Sequence, residues 1–89
     1  MVPTHPATPV TVTVRYFAGA RAAAGVETEI REATSLDELV GQLVDAHGER
    51  LERVLAACSF LVDGAQTRDP SSALAPGAVV DVLPPFAGG

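Results

Sequence analysis

The chain has 89 residues, which suffices for one domain with one hydrophobic core but not for two. Apolar residues make up 47% of it, a share typical of a folded protein and not of a disordered one. The net charge is −5, and the six basic residues are arginines scattered along the sequence. Nucleic-acid binding, which needs a clustered basic face, is therefore excluded.

The beginning of the sequence predicts an extension and no leader. Three prolines among the first nine residues indicate a flexible or polyproline-like segment, 1–9, ahead of a folded domain, 10–83. This segment lacks the charged start and the apolar stretch of a signal peptide. No apolar run approaches the roughly 20 residues that a membrane span needs. A cytoplasmic protein that does not bind membranes is expected.

Two strands and a short helical turn are predicted first. Alternating β-branched and polar residues predict a strand over 10–17. The alanine-rich segment that follows predicts a helical turn that ends at Gly25. A weaker alternation over 26–32, with Val26 and Ile30 on the apolar side, predicts a second strand antiparallel to the first.

The clearest helix follows Ser35. Ser35 and Glu38 fit a capping box, in which a hydroxyl and a carboxylate satisfy free backbone N–H groups. Gly48 is expected to end the helix, and Gly41 inside it is expected to allow a close approach to the sheet. The helix carries one apolar stripe at spacings of three and four residues, formed by Leu36, Leu39, Val40, Leu43 and Val44.

The second half predicts a short helix and three strands. The Asp63-Gly64 pair is typical of a tight hairpin, and Leu74 between two turns is expected to fill the core. The predicted elements are a helix over 49–57 and strands over 60–62, 65–67 and 78–83. The last strand is almost continuously apolar, as a central strand should be.

This order of elements predicts an α+β fold of the β-grasp, or ubiquitin-like, kind. A mixed sheet of four to five strands would carry one main helix on one face. The first and last strands are the most apolar, so they are expected to pair in parallel at the centre of the sheet.

The body of the chain offers no catalytic constellation. Cys58 has no histidine near it in sequence, so a buried small residue is favoured over a reactive thiol. His47 is expected to cap the helix end or lie on the surface, and no metal site is expected. The carboxylates are interpreted mostly as solvated charge, namely Glu27, Glu29, Glu32, Asp37, Glu38 and Asp45.

The segment 84–89 is the remaining candidate site. Pro84 and Pro85 end the last strand and stiffen the exit of the chain. Phe86 is followed by Ala87, Gly88 and Gly89, residues with little or no side chain, around whose backbone a partner's active site can close. Composition alone leaves a functional tail and a frayed end equally open.

From position 10 onward the chain resembles the ubiquitin-like sulfur-carrier family that includes MoaD, the small subunit of molybdopterin synthase, and ThiS, the carrier of thiazole synthesis. Segment 14–21, VRYFAGAR, together with Gly25 is similar to the first strand and following turn of the MoaD branch. Segment 83–89, LPPFAGG, is similar to the ending of that branch. Phe86 is bulkier than the aliphatic residue usual there.

The resemblance implies a sulfur carrier that is not catalytic alone and binds no cofactor. Its Gly89 carboxylate would be adenylated by an ATP-using, MoeB-like partner, converted to a thiocarboxylate, and used to donate sulfur to a pyranopterin precursor inside a MoaE-like large subunit. Segment 84–88 would thread into the partners. Phe17 and Phe86 are the candidate interface residues, because large exposed hydrophobic side chains mark interfaces, whereas Phe60 is expected in the core.

Three alternatives remain open at this point. The chain could carry sulfur for thiamine thiazole or cysteine biosynthesis. It could be a protein modifier that is attached through Gly89 to lysines of other proteins. It could also be a β-grasp interaction module with an idle tail.

Overall fold

The computed structural model describes residues 8–67, 69 and 71–85. The predicted extension therefore lies almost wholly outside the described residues, as does segment 86–89. The described residues contain five strands and three helices. In chain order these are β1 (Val10–Tyr16), α1 (Ala18–Ala24), β2 (Thr28–Ala33), α2 (Leu36–His47), α3 (Glu49–Leu55), β3 (Ser59–Val62), β4 (Ala65–Thr67) and β5 (Val79–Leu83).

The strands form one mixed sheet in the order β2-β1-β5-β3-β4. β1 and β5 pair in parallel at its centre, and the other neighbours pair antiparallel. The helices pack on one face of this sheet. This arrangement confirms the predicted α+β, β-grasp fold and the parallel pairing of the first and last strands.

The core lies between the sheet and the helices. Alternate residues of β1 and β5 point inward, because side chains on a strand alternate between the two faces. The apolar stripe of α2 covers them, and Leu74 fills a gap as predicted. The core includes Val12, Val14, Tyr16, Leu39, Leu43, Leu51, Val80 and Val82. Phe60, expected in the core, is only half-buried and packs against the core from its side.

Local capping signals in the sequence are confirmed. The Ser35 hydroxyl accepts a hydrogen bond from the Glu38 backbone N–H at 3.2 Å. The Glu38 carboxylate in turn accepts one from the Thr34 backbone N–H at 2.8 Å. Gly25 ends α1 at a φ of 79°, and Gly48 ends α2 at 88°, conformations that glycine adopts most readily.

The expected role of Gly41 is wrong. This residue is exposed on α2, and a Cβ built on it would meet no atom within 4 Å. The sheet therefore does not approach the helix at this position.

The second strand differs from its prediction in bounds and in orientation. It begins at Thr28, and its register pairs Ile30 with Thr13 and Glu29 with Val14. Because Val14 faces the core, Glu29 lies on the helix side, and Ile30 is 69% exposed on the other side. The predicted apolar side of this strand is thus its exposed side.

Candidate functional site

The base of the C-terminal segment lies beside the end of β1. Parallel strands end at the same edge of a sheet, and here Tyr16 is aligned with Val82. The Phe17 backbone N–H donates a hydrogen bond to the Val82 carbonyl at 3.2 Å. The half-buried Phe17 is therefore fixed next to the point where β5 continues into Pro84.

The predicted threading segment is described only at its start. Pro84 is half-buried and Pro85 is exposed, and neither belongs to a strand. This agrees with proline's lack of a backbone donor. Phe86, Ala87, Gly88 and Gly89 lie outside the described residues, so their roles and the interface role of Phe17 stay predictions.

The sheet face opposite the helices is open and carries both apolar and polar side chains. We call it the open sheet face. The strand registers place side chains of four strands on it. Its apolar members are Ile30, Leu61, Val79 and Leu83, and its polar members include Thr13, Thr28, Arg15 and Asp81.

An ion pair lies in the middle of the open sheet face. Arg15 donates two hydrogen bonds to Asp81, from Nε to Oδ1 at 2.6 Å and from the second guanidinium nitrogen to Oδ2 at 2.8 Å. The hydrogen bond and the charge of Asp81 raise the pKa of Arg15. The guanidinium carbon also lies 5.7 Å from the centre of the Phe17 ring.

A second polar cluster lies on the helix side of the sheet. The Glu29 carboxylate accepts a hydrogen bond from Arg31 Nε at 2.7 Å, and its other oxygen lies 2.6 Å from His47 Nε2. The His47 ring meets the Tyr16 ring edge-on at 6.0 Å. Burial, and then the charge of Glu29, raises the pKa of Tyr16.

The interpretation of Glu29 as solvated charge is wrong, because most of its side chain is covered. His47 does end its helix, as predicted, but it is held against β2 and is only partly exposed. Sequence spacing could not reveal this contact, since it depends on how β2 aligns with β1. The alignment of Glu29 with the inward-facing Val14 is the signal that locates it.

Cys58 does not form a nucleophilic site with any described residue. It is half-buried, its thiol donates to the Val54 carbonyl at 3.1 Å, and burial raises its pKa. A thiol is reactive as thiolate, so this environment disfavours attack. Cys58 lines a groove of about 520 Å³ between the helices and the β3–β4 edge.

The described residues contain no group of three or more His, Cys, Asp or Glu side chains that could hold a metal ion. None of their helices is long and apolar enough to cross a bilayer.

Comparison with known proteins places the amino-acid sequence in a family. The ThiS family model matches residues 14–89. A sequence comparison with curated proteins gave no match.

Three solved structures illustrate the similarity. A Pyrococcus furiosus protein assigned as molybdopterin converting factor subunit 1 is 28% identical with a TM-score of 0.77, covering 86% of this chain and 99% of its own. One chain of the Helicobacter pylori complex of subunits 1 and 2 of molybdopterin-converting factor is 28% identical with a TM-score of 0.71, covering 90% of this chain and 100% of its own. The small archaeal modifier protein 1 of Methanosarcina acetivorans, at 21% identity and a TM-score of 0.81, covers 91% of this chain and 98% of its own and shows the shared fold.

Proposed function

We propose that this chain, which belongs to the ThiS family of ubiquitin-like sulfur carriers, carries sulfur as a thiocarboxylate on Gly89 and donates it in molybdopterin synthesis. The observation that carries the proposal is the position of the segment that begins at Pro84. It leaves the central strand of the sheet at the edge where β1 also ends. The glycine pair at the end of the sequence follows within six residues.

The chemistry requires a second protein. A carboxylate is a poor electrophile, so the Gly89 carboxylate first attacks the α-phosphorus of ATP and releases pyrophosphate. Hydrosulfide from a sulfur donor then attacks the acyl carbon and displaces AMP, which leaves the thiocarboxylate. An ATP-using adenylating enzyme of the MoeB kind would supply these steps. Arg15, Arg31 and the Cys58 thiol each donate to a group of this same chain, which suits a carrier that presents a group to a partner.

The molybdopterin branch is favoured over other sulfur acceptors by one comparison. The H. pylori relative, at 28% identity, was solved in a complex of subunits 1 and 2 of molybdopterin-converting factor. We therefore propose a MoaE-like large subunit as the partner that receives the tail. The sulfur would pass there to a pyranopterin precursor.

Intact mass spectrometry tests the first half of this function. The protein is incubated with a MoeB-like adenylating enzyme, ATP and a sulfur donor. We expect a species in which one oxygen is replaced by sulfur. Deletion of Gly89 should abolish it, and the matched control Gly41→Ala, a glycine change on an exposed helix surface, should not.

A transfer assay tests the second half. The thiocarboxylate form is mixed with a molybdopterin synthase large subunit and the pterin precursor, and molybdopterin is measured. A thiocarboxylate without molybdopterin would point to thiazole or cysteine synthesis. Adducts of Gly89 with lysines in cell extracts would indicate a protein modifier, and full cellular function without Gly89 would indicate an interaction module.

A further inference from the structure

Asp81 is an unusual residue for its position. It lies in β5, the central strand, between two valines. Aspartate is depleted in strands, and at 8% exposure Asp81 is the one buried polar or charged residue in the described part of the chain. Both of its carboxylate oxygens accept hydrogen bonds from Arg15 of β1.

Stability alone does not account for this pair. Arg15 keeps 49% of its side chain exposed, and exposed ion pairs contribute little to folding. Replacing a buried ion pair by apolar residues of similar volume is often neutral or stabilising. The pair is therefore better explained by the geometry that it imposes than by the energy that it adds.

That geometry fixes Arg15 against an aromatic ring. Asp81 binds the guanidinium through two hydrogen bonds, and the guanidinium carbon lies 5.7 Å from the centre of the Phe17 ring. A cation at this distance from a ring is attracted to it. The backbone of Phe17 is already bound to Val82, so both backbone and side chain of Phe17 are held beside the base of the tail.

Arg15 also keeps donors for another molecule. A guanidinium has five N–H groups, and the two hydrogen bonds to Asp81 are those that the described residues make with it. The remaining donors lie on the open sheet face, where Leu61 is paired with Asp81 and Leu83 lies two residues further along β5 on the same face. Apolar surroundings of this kind exclude water from a central polar contact in an interface.

The length of the tail brings its partner to this place. Six residues from Pro84 to Gly89 span roughly 20 Å at most when extended. The active site of a protein that encloses Gly89 therefore lies within roughly 20 Å of the edge of the sheet that holds Phe17. This step rests on the proposed function, since it assumes that the tail is handed to a partner.

We propose that Arg15 is a positioning residue for tail processing. Locked by Asp81, it holds the Phe17 ring in a docking orientation and offers its free N–H groups to a hydrogen-bond acceptor on the protein that encloses Gly89. The proposed function brings two proteins to Gly89, and the one meant here is the ATP-dependent adenylating enzyme, because it acts on the tail first.

Two double variants separate orientation from stability. In Arg15→Leu/Asp81→Val the pair is replaced by apolar residues, and we expect urea unfolding close to wild type but a KM for adenylation raised about tenfold, with kcat unchanged. The charge swap Arg15→Asp/Asp81→Arg keeps an ion pair but removes the guanidinium from Phe17. We expect its KM to stay raised. The control Arg53→Leu, at an exposed helix position, should leave KM unchanged.

The proposal is overturned by an unchanged KM in the apolar double variant, or by full recovery in the charge swap. A measurement on the free protein separates it from the proposed function. Aromatic nuclear magnetic resonance should show an ordered Phe17 ring with contacts to the Arg15 side chain in wild type, and loss of order in Arg15→Leu/Asp81→Val. If wild type is not adenylated, the proposed function fails, and an equally ordered ring in both proteins would still refute the positioning role.

Discussion

The Nε2 atom of His47 lies 2.6 Å from Oε2 of Glu29, and this contact joins the end of α2 to the edge strand β2. Arg31 binds the other oxygen of the same carboxylate at 2.7 Å. The side chains of Glu29 and His47 are both mostly buried. The end of the main helix is therefore attached to the sheet through one carboxylate as well as through apolar packing.

Removal of this carboxylate should destabilise the fold. We expect Glu29→Gln to lower the free energy of unfolding by about 1–3 kcal/mol, because a covered hydrogen-bonding group loses its charged partner. Urea denaturation measures this change in the free energy of unfolding. Glu27→Gln, at an exposed position just before β2, is the control and should change little. Equal losses in the two variants would contradict the structure.

The glycine inside α2 and the glycine that ends this helix should respond in opposite directions. Gly41→Ala is expected to stabilise the protein by about 1 kcal/mol, since the added methyl group meets nothing and alanine favours the helix. Gly48→Ala is expected to destabilise it by about 1 kcal/mol, because φ at Gly48 is 88°. Thermal and urea unfolding of both variants check this. A loss of stability in Gly41→Ala would mean that the sheet lies closer than described.

Cys58 should be a slow nucleophile. Burial raises its pKa, so at a given pH its thiolate fraction is lower than that of a free cysteine, whose pKa is about 8.5. We expect iodoacetamide to alkylate the folded protein several-fold more slowly at pH 8 than the same protein in urea, with a rate that keeps rising above pH 9. A folded rate equal to the unfolded one would refute the assigned environment.

The same shift predicts how stability depends on alkaline pH. A pKa that is higher in the folded than in the unfolded state favours the protonated thiol on folding. The contribution of the Cys58 thiol to the free energy of unfolding is fully present below the unfolded pKa of about 8.5. It is lost as the pH rises through the folded pKa. Unfolding free energies between pH 8 and 10 should therefore decline less in Cys58→Ala than in wild type. The raised pKa of Tyr16 acts in the same direction but only above about pH 10.

Local sequence signals predicted most of the fold. The Ser35 cap, the glycines that end helices and the alternation along β1 depend on neighbouring residues, and each was confirmed. The orientation of Ile30 was missed because exposure in β2 depends on its register with β1. Tertiary pairing overrides a weak alternation of apolar residues.

The site was predicted less completely for a similar reason. The proline stalk, which consists of Pro84 and Pro85, and the neighbouring Phe17 follow from sequence, since both lie at the ends of predicted strands. Arg15 and Asp81, however, are 66 positions apart, and nothing in the spacing of single residues links them. Only the parallel register of β1 with β5 sets them side by side.

The proline stalk gives the last prediction. Each proline restricts the unbound tail, so Pro84→Gly/Pro85→Gly increases the entropy lost when a partner fixes the segment, by roughly 1–2 kcal/mol in total. We expect the KM for adenylation to rise about five- to thirtyfold, with kcat near the wild-type value once the partner is saturated. Pro76→Ala, in the turn before β5 and so at the opposite end of that strand, is the control. An unchanged KM in the double glycine variant would show that stiffness of the stalk does not aid the threading of Gly89.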